Sequence, residues 1–102
     1  MTTIERSTET AVMTSAAAMN SALDVAMAAD EKIILLGEDI AEPTGGVFKV
    51  SKGLSTKYGV ERVRSTPIAE QAIVGTAVGL ARGRYRAVAD IMFFDFIAVS
   101  MD

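Results

Sequence analysis

Ile33-Ile34-Leu35-Leu36-Gly37 (residues 33–37) decides the fold, and Glu38-Asp39 follow it directly. Four apolar residues in a row, two of them β-branched, with charge before and glycine after, predict a short strand buried on both faces. Upstream, from about Val12 to Ala29, Met19, Ala22, Leu23, Ala26 and Met27 recur at helical spacing and define one face. A helix feeding a doubly buried strand points to an α/β architecture with a parallel sheet flanked by helices. Glu38 and Asp39 then stand at the strand's C-terminal end, the edge where open parallel sheets bind ligands.

Downstream the same alternation continues. Pro43-Thr44-Gly45-Gly46 reads as a turn, and Val47–Tyr58 as an ambiguous stretch with room for a short helix. Val60–Ser65 alternates like a strand. Thr66-Pro67 predicts a helix start, with Thr66 as cap and Pro67 in the first turn. The helix is expected to run to about Arg82, with Glu70, Ile73, Val74, Ala77, Val78 and Ala81 on one face. Tyr85–Phe93 reads as a second buried strand, and a last helix is expected near Asp95. Residues 1–11, rich in Thr, Ser and Glu, read as a disordered tail, and residues 12–102 as the structured portion.

Composition narrows the chemistry. The 102 residues hold 10 Lys plus Arg and 13 Asp plus Glu, a net charge of -3, which argues against a nucleic-acid surface. With no Cys and no His, the chain has no thiolate or imidazole for metal binding or nucleophilic catalysis, so no metal ligands are assigned. No apolar run approaches the ~18 residues of a membrane span. The N-terminal residues mix Glu5 and Glu9 with Arg6, unlike a secretory or transit leader, so a cytoplasmic protein is expected. A mean hydropathy of +0.32 is high for a small domain and predicts apolar surface that another chain, or further sequence of the same chain, must cover.

Glu70 is the most informative single residue. It reads either as a first-turn acid favoured by the helix dipole or as a functional carboxylate on an apolar face. Buried there, it would have a raised pKa and could share a proton with a ligand nitrogen. Gly75, Gly79 and Gly83 form a stripe spaced by four, either by chance or for close approach of another helix. The pair Glu38-Asp39 reads as a solvated strand end. Met92, Phe93, Phe94 and Phe96 read as core, with the option that a planar group stacks on one of them.

Together these segments resemble one family. Leu36-Gly37-Glu38-Asp39-Ile40, Gly45-Gly46-Val47-Phe48-Lys49-Val50 and Lys52-Gly53-Leu54 are similar to the start of the beta subunits of thiamin-diphosphate-dependent 2-oxo acid dehydrogenases. Arg62-Val63, Thr66-Pro67-Ile68-Ala69-Glu70, Ile73-Val74-Gly75, and Asp90-Ile91-Met92-Phe93 with Asp95-Phe96 extend the likeness from about Ala18 to Asp102. Pyruvate, branched-chain 2-oxo acid and acetoin dehydrogenases share the pattern.

The resemblance implies the N-terminal part of a pyrimidine-binding domain of the thiamin-diphosphate type. It implies that Glu70 hydrogen-bonds the aminopyrimidine N1′ and favours the imino tautomer. It implies that Met92 and Phe96 contact the pyrimidine ring, with Ile68 near it. No Gly-Asp-Gly occurs, so the diphosphate and Mg²⁺ are expected on a partner alpha subunit in an α2β2 assembly, with a lipoyl acyltransferase as the next component. The glycine stripe matches that family's helix contacts between subunits. Family members are much longer, so the chain is expected to be roughly the first third of a subunit and inactive alone. Two other classes stay open: a single-chain thiamin enzyme of the transketolase type, and a non-catalytic assembly module.

Overall fold

The computed structural model describes residues 10–102. Helix α1 (Ser15–Ala29) starts at Thr14, whose Oγ1 accepts a hydrogen bond from the Ala17 N–H at 3.1 Å. Strand β1 (Ile33–Glu38) follows, then a long loop and the short helix α2 (Leu54–Tyr58). Strand β2 (Val63–Thr66), helix α3 (Glu70–Arg82) and strand β3 (Arg86–Asp90) complete the framework. A 3₁₀ turn at Phe94–Phe96 leads into the final helix, α4 (Ile97–Ser100).

The sheet is parallel throughout, in the order β2-β1-β3. Alternation along β1 divides the core in two. Leu35 packs with Met27, Ile40, Leu54 and Val63 on the side of α1 and α2. Ile34 and Leu36 pack with Ile73 on the side of α3. Glu38 continues the alternation of Ile34 and Leu36, and this is what aims an acid toward the start of α3. The expectation of an α/β parallel sheet with a doubly buried central strand is thus met.

Gly37 sits where β1 and β3 come closest. A Cβ added there would lie 2.7 Å from the Asp90 carbonyl oxygen and 2.9 Å from the Asp90 Cβ. Glycine therefore sets the spacing between the C-terminal ends of the two strands.

Arg62 joins three elements from just before β2. Its Nε donates to the Ile33 carbonyl at 3.2 Å, and one Nη donates to the carbonyls of Met27 at 2.9 Å and Asp30 at 2.8 Å. The guanidinium also lies 5.0 Å from the centre of the Tyr58 ring. It thereby ties the end of α1 to the start of β1 through three carbonyls.

Several sequence expectations are corrected. Thr66 does not cap α3 and Pro67 is not in its first turn. Thr66 is held in the β-ladder opposite Glu38, its Oγ1 donates to the Pro67 carbonyl, and Ala69 is the residue preceding the helix. Pairing with β1 outweighs a local capping preference. The buried strand expected over Tyr85–Phe93 is shorter: β3 covers Arg86–Asp90 and, among the described residues, is an edge strand and half exposed. Its run ends because Met92 takes a left-handed backbone, φ 61°. The strand expected from Val60 begins only at Val63, after Gly59 turns the chain at φ 87°. On α1, Met27 is buried as expected, but Met19 is 55% exposed because no strand lies beyond β3 among the described residues. The tail expected at residues 1–11 falls mostly outside the described residues; Thr10 and Ala11 are exposed.

Candidate functional site

The strand order 2-1-3 places a topological switch between β1 and β3, the crevice where doubly wound sheets bind ligands. Glu38 ends β1, Asp90 ends β3 and Glu70 opens α3 at this edge.

The acids here are not equivalent. Oε1 of Glu38 is buried and has no hydrogen-bond partner. Burial raises the Glu38 pKa above its ordinary value of 4.5, and Glu70 raises it further through its charge and through side-chain hydrogen bonding. Asp39 and Asp90 add smaller repulsions of the same sign. The neutral form of Glu38 is thereby favoured over the ionised one. The expectation that Glu38 is a solvated strand end is therefore corrected: it is half-buried beside Glu70. The signal lay in the period-2 alternation with Ile34 and Leu36, which places residue 38 on the α3 side.

A pH dependence follows. A carboxyl whose pKa is raised on folding favours the folded state below pH 4.5. That contribution is lost as pH rises through the raised value. Glu38→Gln removes the titration. The complete subunit carrying it is expected to gain urea-midpoint stability over wild type progressively as pH rises above 4.5. A difference that stays constant with pH would contradict the pairing.

The remaining site residues are placed as follows. Met92 lies in an apolar groove with Glu38, Phe48 and Val88, and its N–H donates to Asp90 Oδ1 at 2.8 Å. Asp90 thus holds the left-handed turn that ends β3, a role the sequence did not reveal. Phe96 lies on the 3₁₀ turn, edge-to-face with Phe93 at 6.1 Å between ring centres. Ile68 is 85% exposed on the segment leading into α3. The structure brings Glu70 to Glu38, and Met92 to the same groove as Glu38; it leaves Ile68 without an apolar neighbour in the core.

The long loop after β1 closes over this edge by bonds remote in sequence. Ser51 Oγ donates to the Ile40 carbonyl at 2.8 Å, and the Gly53 N–H donates to the Glu42 carboxylate. Asn20 on α1 donates to the carbonyls of Val50 at 2.8 Å and Lys52 at 2.9 Å. At Gly45, φ is 66°, and a Cβ would lie 2.7 Å from the Lys52 Cα, so the fold of this loop requires glycine there.

What this edge can hold is selective. Two neighbouring carboxyl groups, with Met92 and Phe48 lining the adjoining groove, fit a flat heterocycle with a basic ring nitrogen, as in the aminopyrimidine of thiamin diphosphate. The charges acting on Glu38 are all negative, so this edge does not fit the diphosphate end. Among the described residues no cluster of acids could hold a metal ion, and no helix is long and apolar enough to cross a membrane.

The architecture and the carboxyl-lined edge define the pyrimidine-binding class of α/β domain. Residues 11–102 match the family model described as "Transketolase, pyrimidine binding domain", and the chain belongs to that family. It is 48% identical over 85 residues to the pyruvate dehydrogenase E1 component subunit beta of Leifsonia xyli, covering 83% of this chain and 25% of that protein. The corresponding subunit of Acholeplasma laidlawii is 52% identical over 87 residues, covering 85% and 26%. The 3-methyl-2-oxobutanoate dehydrogenase subunit beta of Mycobacterium tuberculosis is 46% identical over 90 residues, covering 88% and 26%. The chain spans about a quarter of the length of these relatives, and some other relatives are named mitochondrial.

Proposed function

We propose that this chain is the N-terminal part of the beta subunit of a thiamin-diphosphate-dependent 2-oxo acid dehydrogenase. Residues 12–102 would then form part of its pyrimidine-binding domain. The observation that carries this is Glu70, at the first residue of α3, set against the half-buried Glu38 at the switch-point edge. Support comes from relatives named as pyruvate and branched-chain 2-oxo acid dehydrogenase beta subunits.

On this reading Glu70 holds a proton at N1′ of the aminopyrimidine, and Glu38 keeps that carboxyl in a low-water, acid-rich setting. Met92 and Phe96 contact the pyrimidine ring, and Ile68 lies near it. Thiamin diphosphate, when bound, supplies the nucleophilic carbon and the electron sink for decarboxylation. The diphosphate and Mg²⁺ belong to an alpha subunit in an α2β2 assembly, because the charges around Glu38 repel an anion. The acyl group passes to a lipoyl group on an acyltransferase component. The proposed compartment is the cytoplasm.

The test is turnover by the complete subunit assembled with its alpha partner. Decarboxylation of pyruvate or a branched-chain 2-oxo acid, dependent on thiamin diphosphate and coupled to lipoyl acylation, is expected. Two-carbon transfer between sugar phosphates by the complete chain alone would replace this reading with the transketolase type. Partner binding without any thiamin diphosphate dependence would replace it with an assembly module.

A further inference from the structure

Three phenylalanines far apart in role form a ladder at the sheet edge. Phe48, on the loop after β1, meets Phe93 edge-to-face with ring centres 5.2 Å apart and planes at 73°. Phe93 in turn meets Phe96 edge-to-face at 6.1 Å and 88°. The rings at 48, 93 and 96 are 51%, 40% and 43% exposed, so the described residues leave all three partly uncovered. The ladder's ends are fixed differently. The loop under Phe48 is tied to α1 by Asn20 and to itself by Ser51 and Glu42. Phe96 ends a 3₁₀ turn that runs directly into the four-residue α4, and its N–H donates to the Phe93 carbonyl at 3.1 Å. A one-turn element has little rigidity of its own. The rigid end of the ladder is therefore the loop, and the end that needs holding is Phe96.

We propose that Phe48 and Phe93 are positioning residues that fix the Phe96 ring for stacking on a flat heterocyclic ligand. This rests on the reading that Phe96 contacts the pyrimidine of thiamin diphosphate. Edge-to-face contact fixes ring tilt as well as position, which a branched aliphatic side chain does not do. The loop glycines and Asn20 serve the site through this ladder, although they lie outside it.

The experiment titrates thiamin diphosphate, with Mg²⁺, into the complete subunit assembled with its alpha partner. Phe48→Leu is expected to raise the Kd roughly three- to tenfold, the range for loss of one aromatic pair. Phe48→Tyr, which keeps the ring, is expected to stay within about twofold of wild type by the same argument. Phe96→Leu is expected to raise the Kd at least as much as Phe48→Leu. The double variant should bind no more weakly than Phe96→Leu alone, because the brace then has nothing to hold. Phe93→Leu removes the middle ring and should give the same rise, so it carries the comparison if Phe48→Leu fails to assemble. An unchanged Kd in Phe48→Leu and Phe93→Leu beside a weakened Phe96→Leu overturns the ladder and leaves the Phe96 contact standing. Additive effects in the double variant also overturn it. An unchanged Kd in Phe96→Leu overturns the contact itself, and the ladder's purpose falls with it.

Discussion

Glu70→Gln in the complete subunit, assembled with its alpha partner, is expected to lower turnover by roughly 10²–10⁴-fold, the usual worth of a positioned proton-transfer group. Assembly should be intact. Glutamine keeps the shape and one hydrogen-bond acceptor but cannot exchange a proton with a ring nitrogen. The substitution also removes the negative charge that raises the Glu38 pKa. The helix should tolerate it, since Glu70 is the first residue of α3 and makes no side-chain cap there. The measurement is steady-state turnover beside gel filtration of the assembled enzyme. Activity within twofold of wild type would remove Glu70 from the chemistry, whatever the rest of the fold does.

The largest expected loss of stability is at Arg62, remote from the site. Arg62→Ala is expected to destabilise the complete subunit by about 3 kcal/mol, because it removes at once the guanidinium's bonds to the carbonyls of Met27, Asp30 and Ile33. It also deletes the contact with the Tyr58 ring. Arg62→Lys should recover less than half, since one ammonium cannot reproduce the planar fork that spans three carbonyls. Chemical denaturation followed by circular dichroism reads both variants. A loss under about 1 kcal/mol for Arg62→Ala would mean that water replaces the guanidinium at little cost.

These two residues differ in how far sequence could reveal them. Glu70 was legible because an acid on an apolar helical face is conspicuous, and the surrounding motifs gave it a family context. Arg62 was legible only as part of a motif; its three carbonyls lie 29 to 35 residues away. The doubly buried β1 followed from an uninterrupted apolar run, which has few alternatives at that length. Thr66-Pro67 misled because capping is local, whereas the pairing of Thr66 with Glu38 is set by the whole sheet. Glu38 was read as a strand end because its neighbour in space, Glu70, is 32 positions on. The half-exposure of β3 was not legible because an apolar run such as Ala87-Val88-Ala89 does not report whether another strand lies alongside.

The apolar composition also finds its place. Ile68, Phe94 and Met101 are largely exposed, together with the aromatic ladder. Gly75 and Gly79 face open space, with no heavy atom within 4 Å of an added Cβ among the described residues. The close helix approach that would explain their spacing is assigned to the proposed subunit contact.

The most direct test of the account is where thiamin diphosphate binds. Isothermal titration, with Mg²⁺ present, would compare the complete beta subunit, the alpha subunit and their assembly. The account predicts saturable tight binding by the assembly and none of comparable affinity by the beta subunit alone, because its carboxyl-lined edge holds only the pyrimidine end. Full-affinity binding by the separate beta subunit would contradict it.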